Sequence, residues 1–367
     1  MGFDGGSPAQ RRSGTTVTRA FAPSSERGSA STVMTYFIRS TLSTSSSTPT
    51  TTPAVGLRRL IDLGRDRLPL PGQGETLARW RALADVAAED LPLVKLFEGH
   101  TDALAICREL GAEAPPPGSA WGTWCAEPPD ARVTLRTRAD GQVTLHGRKS
   151  WCSGADAVTH AVVSGWNADG APCLAAVAMA QPGVTVTDVG WDAVGMAATR
   201  SVDVIFDGAV ATAIGQPGDY VKRPGFWHGG AGIAACWFGG ASTLARLTRE
   251  GMGSAPDAHR KAHLGAIDVA MTAAAALLRE SAAWIDQHPE ADAQAVAMRA
   301  RLVVEHAATE VMHHASRALG AGALCRNARF ARTFADLPVF LRQSHAERDL
   351  AALGLLTASA EGAPWTL

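Results

Sequence analysis

The sequence has no apolar run of the ~18 to 20 residues that a membrane-spanning helix needs, no Cys-x-x-Cys pair and almost no net charge. The first absence gives no expectation of a membrane segment. A formal net charge of -1, from 34 basic and 35 acidic residues, offers no attraction for nucleic acid or an anionic membrane, so neither is expected as a partner. The six cysteines, at 107, 125, 152, 173, 236 and 325, are scattered in a chain too large to need disulfides. They read as reduced and mostly buried, and the chain as cytoplasmic. A second copy of Glu310-x-x-His313 is also missing. One such pair is half of what a di-iron site requires, so no metal is expected, and Glu305, His306, Glu310, His313 and His314 read as a polar helix face.

What is present is apolar bulk. A hydrophobic content of 46% over 367 residues can build a large core and two or three subdomains. Residues 1–54 stand apart, because serine, threonine, glycine and proline dominate up to Ser40–Thr52 and such a segment cannot offset its ordering entropy. It is expected to be a disordered tail. Arg11, Arg12, Arg19, Arg27 and Arg39 lie there without the amphipathic stripe of a transit peptide, and Met34 offers an alternative start. Over 55–118, Leu77, Trp80, Leu83 and Ala87, then Leu93, Leu96, Phe97, Leu104 and Cys107, recur at helical spacing and stop before Pro115-Pro116-Pro117. That predicts two helices and a short third.

Residues 119–223 change period. Val133, Leu135 and Thr137, then Val143 and Leu145, alternate with polar residues about an Asp140-Gly141 turn, which predicts a hairpin. Further strands are expected at 157–166, 173–179, 184–187 and 201–206, in the regular spacing of a small antiparallel barrel. Over 224–367 the period is helical again, with helices expected at 226–252, 257–287, 291–319 and 338–355. Pro256, Pro289, Gly320-Ala321-Gly322 and Pro338 would be the breaks. The fold class is α+β: N-terminal helices, a central barrel and a C-terminal four-helix bundle.

The hairpin brings together Trp124-Cys125-Ala126-Glu127-Pro128 and Trp151-Cys152-Ser153. Two indoles and several backbone groups there suit a flat ring with polar edges; buried core is the alternative reading for each tryptophan. These segments resemble the flavin-binding middle domain of the acyl-CoA dehydrogenase superfamily, with its aromatic-x-T-E-P turn and G-x-K-x-W-I-T-x-G strand. The second appears here as Gly147-Arg148-Lys149-Ser150-Trp151-Cys152-Ser153-Gly154. Ala126 replaces the threonine of the first motif, and Ser153 keeps the hydroxyl of the second. Trp191 to Met196 and Val204 to Val210 resemble the family's L-G-M-R-x-[ST] and x-F-x-D-V-x-V segments. Relative to that family the N-terminal helical domain is abbreviated.

The resemblance implies FAD, held by Trp124, Cys125, Ala126, Trp151 and Ser153. It also implies a phosphate-binding turn, contributed to a neighbouring subunit, at Arg317, Gly320 and Gly322, where a helix C-cap is the plainer reading. It implies dehydrogenation of an acyl thioester such as an acyl-CoA, an electron-transfer flavoprotein as acceptor, and a homodimer or homotetramer formed through the bundle. The family's base is a glutamate at a fixed distance after an R-D-A-R-like helix, matched here by Arg326-Asn327-Ala328-Arg329. That distance leads to Ala335, so the adjacent Asp336 becomes the candidate base, with a helix N-cap before Pro338 as its alternative role. A flavin-dependent monooxygenase of the dibenzothiophene-desulfurisation type, which needs no such base, and a non-catalytic relative are the other readings.

Overall fold

The computed structural model describes residues 51–138, 142–362 and 365–366. Most of the expected N-terminal tail, Met34 and the Asp140-Gly141 turn lie outside them. The first helix, α1 (Pro53–Asp62), starts where Thr52 accepts a hydrogen bond from the Val55 N–H and Pro53 supplies a pre-set φ. Two helices follow, α2 (Thr76–Glu89) and α3 (Leu91–Glu109), the latter capped by Asp90, whose carboxylate accepts from Leu93 N at 2.8 Å. Val94, Phe97, Ala103 and Ile106 of α3 are buried on several sides, because this helix packs against α1, α2, the first strand and the bundle. Its apolar residues therefore do not keep to one stripe.

The start of α2 has no cap of its own. Instead Asp286, near the end of a bundle helix, accepts from Gly74 N at 3.0 Å, Thr76 N at 3.0 Å and Thr76 Oγ1 at 2.6 Å. A carboxylate placed there satisfies otherwise unpaired N–H groups and complements the helix dipole.

Seven strands follow: β1 (Trp121–Trp124), β2 (Val133–Thr137), β3 (Val143–Cys152), β4 (His160–Trp166), β5 (Pro172–Ala178), β6 (Val184–Val186) and β7 (Val202–Ile214). Five of them close a ring in the order β4-β2-β3-β7-β5, with β5 returning to β4. Val133, Leu135, Val143, Leu145, Val177, Val204 and Phe206 are buried in the same core. The expectation of an antiparallel barrel holds for the β2–β3, β3–β7, β5–β7 and β4–β5 ladders. It is corrected at β4, which runs parallel to β1 and also to β2, the latter through a single pair, Thr134 with Trp166. The chain leaves β1, turns back through the hairpin and enters β4 in the original direction.

After a short α4 (Asp219–Lys222), the bundle consists of α5 (Gly225–Glu250), α6 (Ala258–Gln287), α7 (Gln294–Leu319), α8 (Ala321–Arg326), α9 (Ala328–Leu341) and α10 (Glu347–Ser359). The expected fourth helix at 338–355 is corrected to two helices, and Pro338 sits inside α9 rather than breaking it. Asn327 caps α9 by accepting from Phe330 N at 3.0 Å, and Phe330, Leu337, Phe340 and Leu341 are buried along one side. That packing outweighs the local cost of proline.

Among the described residues α6 is long and apolar enough by composition to cross a membrane, because dispersed alanines raise its mean hydropathy without a continuous apolar run. Its buried residues, among them Ile267, Ala274, Leu278 and Ile285, nevertheless face the protein core, while Val269 on another side is 69% exposed.

Candidate functional site

The two segments joined by the hairpin meet through an ion pair whose ammonium is buried and whose carboxylate is partly exposed. Lys149 on β3 is fully buried, and its ammonium donates to Glu127 Oε1 at 2.6 Å, Ser164 Oγ at 2.8 Å and Ser164 O at 3.0 Å. Glu127 also accepts from Ser164 Oγ and, through Oε2, from Trp166 Nε1 at 3.2 Å. Every ammonium proton thus has an acceptor, the condition under which a charge can be buried. The pair fastens the turn after β1 to the last residues of β3 and to β4. Both residues stood inside the motifs read from the sequence, but nothing in their spacing announced that they pair.

Beyond Lys149 the backbone is strained. Among the described residues, four that are not glycine have positive φ, and three of them lie on this part of the barrel: Trp151 (59°), Met196 (58°) and Arg200 (48°). Such conformations cost roughly 1–2 kcal/mol each and concentrate where a site requires them. The β3–β7 ladder is bulged between Lys149 and Cys152. The bulge turns the Trp151 indole outward, 50% exposed, while Ser150 and Cys152 on either side are buried.

Met196 and Arg200 bracket a single turn, Ala197–Thr199, that is bound to the same segment. Thr199 O accepts from Gly154 N at 2.8 Å, and hydroxyls run from Ser153 to Ser201 (2.8 Å), to Thr199 (2.7 Å) and on to Met196 O (2.7 Å). Arg200 is held outside by Asp156 at 2.7 Å and Asp188 at 2.8 Å. The exposed indole and the partly exposed Ser153 hydroxyl are thus tied to the 196–200 turn through a hydroxyl chain whose other members, Thr199 and Ser201, are buried.

The other residues singled out from the sequence fall in different places. Trp124 is 2% exposed, and its Nε1 donates to Ser153 O at 3.1 Å, so it supports the site from behind instead of offering a ring face. Cys125 is partly buried and Ala126 is exposed. Arg317, Gly320 and Gly322 are exposed at the end of α7 and the start of α8. A side chain added at either glycine would meet nothing within 4 Å, and Gly322 borders a groove with Leu247, Glu250 and Asn327. Among the described residues, no group of three or more His, Cys, Asp or Glu could hold a metal ion.

Asp336 lies within α9 and does not cap it, since Asn327 does. Its Oδ1 accepts from Met196 N at 2.5 Å, and it is 7% exposed. Burial raises its pKa above the ordinary carboxylate value and the Asp90 charge adds to that, against lowering by the Met196 N–H and Arg332. One residue before it, the Ala335 carbonyl packs so closely on Gly195 that a Cβ there would come within 2.2 Å. Residues 335 and 336 together hold the strained turn from the bundle side.

No family model matches the chain. Amino sugar nitrososynthase DnmZ from Streptomyces peucetius is 45% identical over 97 residues, which are 25% of this chain and 24% of that protein. This match thus spans about a quarter of the curated relative. Among solved structures, KijD3 in complex with FMN and dTDP-3-amino-2,3,6-trideoxy-4-keto-3-methyl-D-glucose superposes with a TM-score of 0.72 at 20% identity, over 84% of this chain and 87% of that one. TdsC from Paenibacillus sp. A11-2, in complex with FMN and indole, superposes with a TM-score of 0.70 at 20% identity, over 83% and 88%.

Proposed function

We propose that this chain, whose fold is that of the acyl-CoA dehydrogenases, is a flavin-dependent monooxygenase. The observation that carries the reading is the place of Asp336. The only carboxylate next to the position where the resemblance puts a proton-abstracting base is buried and bound to Met196 N–H, holding a loop. A monooxygenase does not need that base. The TdsC and nitrososynthase likenesses support the same branch of the fold, and acyl-CoA chemistry has no comparable support.

The surface around Trp151 fits an isoalloxazine ring. The exposed indole offers a stacking face, Ser153 a hydroxyl, and the 196–200 turn a preorganised backbone edge. Ala126 and Cys125 would border the ring's other side. When bound and reduced, the flavin would supply the electrons with which dioxygen is split between substrate and water. FMN is the form we assign in place of FAD, because the turn at Gly320-Ala321-Gly322 carries a Cβ at Ala321 and Ala323, where the resemblance calls for glycines against a pyrophosphate. FMN in the KijD3 and TdsC complexes supports this. The exposed side of α6 around Val269 is read as the contact between subunits of a homo-oligomer.

Trp151→Ala is expected to weaken FMN binding by about 1–3 kcal/mol, the range for stacking a planar base on an aromatic side chain, read by fluorescence titration. Trp151→Gly should lose the same affinity, yet raise the stability of the flavin-free protein by about 1 kcal/mol through relief of the positive φ. Equal FMN affinity in all three proteins would remove the indole from the site.

The reaction itself is tested by Asp336→Asn. Asparagine keeps an acceptor for Met196 N–H, so the variant should retain reductant- and oxygen-dependent turnover within about threefold of wild type, less than 1 kcal/mol in activation free energy. Oxidised wild-type protein should not be bleached by a panel of acyl-CoAs without oxygen. Bleaching by an acyl-CoA that Asp336→Asn abolishes would replace this reading with a dehydrogenase.

A further inference from the structure

The barrel wall formed by β4, β5 and β7 separates two apolar clusters. Ala161, Val163, Ala175 and Val177 belong to the main core inside it, whereas Val162, Leu174 and Ile214 pack outside, against the end of α3. Alternation along each strand puts His160, Ala176, Ala178, Val210 and Thr212 on that same outer face. The ladders set them side by side, His160 with Ala178, and Ala176 with both Val162 and Thr212. Helix α3 ends at Glu109, and Ala178, Val210 and Thr212 are exposed. Residues 112–116 and this part of the wall bound a cavity of about 270 Å³, whose lining includes Trp121 and His160.

Its walls are held in place. Ser119 Oγ donates to Pro116 O at 2.6 Å and accepts from Trp121 Nε1 at 2.7 Å, which ties the segment to the indole. Trp121 and His160 stack at 4.9 Å with 17° between their planes. The last β5–β7 pair is Val177 with Ala211. Beyond it the Gln181 side chain takes over, donating to Ala178 O at 2.8 Å and Val210 O at 2.9 Å and accepting from Val210 N at 3.0 Å. Room is left because Ala176 and Ala178 stand where strands usually carry β-branched or aromatic side chains.

Counting donors and acceptors fixes what His160 offers. The Ala120 carbonyl accepts from Thr159 N at 2.8 Å and His160 N at 3.0 Å, which uses both its lone pairs. The Thr159 hydroxyl accepts from Ala120 N at 3.0 Å and lies 2.9 Å from both Ala120 O and His160 Nδ1. Its single proton therefore goes to His160 Nδ1, the acceptor still vacant. The imidazole proton then sits on Nε2, which has no partner among the described residues. Burial holds this imidazole below its ordinary pKa, so the ring is neutral near pH 7.

The cavity thus offers apolar walls, a neutral N–H donor and the Thr212 hydroxyl. Its lining holds no Lys or Arg among the described residues, and the Glu113 carboxylate repels an anion. An apolar cavity of about 150 Å³ takes benzene and drug-sized ligands need about 300–1,000 Å³, so the volume fits one substituted ring.

We propose that this cavity is a second binding site, for an uncharged single-ring compound bearing a carbonyl, whose oxygen accepts from His160 Nε2 while the ring lies over Ala176 and Ala178. It is apart from the flavin surface, since Trp121 begins β1 whereas Cys125 and Ala126 follow its end. The inference does not depend on the monooxygenase reading.

The test is fluorine NMR titration of the full chain, with excess FMN present throughout, using two planar probes of the same outline. These are 4-fluoroacetophenone and 4-fluoro-α-methylstyrene, in which a methylene replaces the carbonyl oxygen. Wild type should bind the ketone about three- to tenfold more tightly than the alkene, the range of a hydrogen bond between neutral groups. His160→Phe keeps a ring against Trp121 and should bind both probes equally. Ala176→Leu fills the floor and should lose about tenfold or more in affinity for both, while FMN affinity stays within about twofold of wild type. Should Ala176→Leu fail to fold, Ala178→Leu, at an exposed position, should show the same loss.

No binding of the ketone to wild type, equal affinity for the two probes, or a preference that survives His160→Phe overturns the inference. Ketone binding that the leucine variant leaves unchanged also overturns it, because the ligand then lies elsewhere on the protein.

Discussion

Glu127→Ala is expected to destabilise the protein by about 3–5 kcal/mol, the range for removing one partner of a buried ion pair, and Lys149→Met by only about 1–2 kcal/mol, the loss of a few hydrogen bonds without a stranded charge. The asymmetry follows from burial. Lys149 is fully buried, whereas the Glu127 side chain keeps 30% of its surface. Removing Glu127 leaves an ammonium in the barrel with only Ser164 as acceptor. Removing the ammonium lets Glu127 turn to water, and methionine fills the space of the lysine stem. Urea unfolding of the two variants and of the double variant measures this directly. A larger loss from Lys149→Met than from Glu127→Ala would show that packing, and not the charge, dominates. The same substitutions loosen the turn after β1 from β3, and Lys149 lies two residues before Trp151 on that strand, so FMN affinity of the folded protein should fall with Glu127→Ala.

The second large effect is at the crossing of α2 and α5. A Cβ on Gly239 would stand 2.2 Å from the Ala84 carbonyl oxygen and 2.7 Å from Ala87 Cβ. A carbonyl fixed in a helix cannot swing aside, so the helices must separate. The Thr243 Oγ1 bond to Ala88 O (2.9 Å), made one turn further on, would stretch with them. Gly239→Ala should cost about 3 kcal/mol, at the upper end for overpacking, despite the roughly 1 kcal/mol that alanine gains in helix propensity. Gly240→Ala is the control. Its Cβ would meet Leu91 Cδ2 at 2.8 Å and Leu337 Cδ1 at 3.3 Å, both ends of flexible side chains, so its cost should be below about 1 kcal/mol once propensity is counted. Equal thermal shifts for the two variants would refute the close-contact argument.

Strands β2 to β6 and the helices α5 to α7 were legible because burial imposes a period on the residues that form them, two along β2 and β3 and helical along the bundle; β1 was not expected, and β7 runs on to Ile214 where a strand was read only over 201–206. Features set by tertiary contact were not. Pro338 reads as a helix stop, and only the buried row from Phe330 to Leu341 shows why α9 passes through it. The cap role read for Asp336 is a local one that Asn327 takes instead, and the hydrogen-bond partner of Asp336, Met196, is 140 positions away in the chain. Trp124 and Trp151 look alike in sequence. A bulge and a positive φ decide that one faces solvent and the other the core.

The Asp286 carboxylate at the start of α2 has a consequence in time as well as in space. All the barrel strands lie between positions 121 and 214, so a chain emerging from the ribosome carries the complete barrel before most of the bundle exists. The N–H groups of Gly74 and Thr76, by contrast, wait 210 residues or more for their acceptor, ten seconds or longer at about 5–20 residues per second. Until then the first turn of α2 has only water to bond, and its apolar side, which α5 will cover, stays open. A ribosome-bound chain ending before residue 286 should therefore show protease cleavage near Gly74 that a chain extended past α7 resists, with the barrel already protected in both.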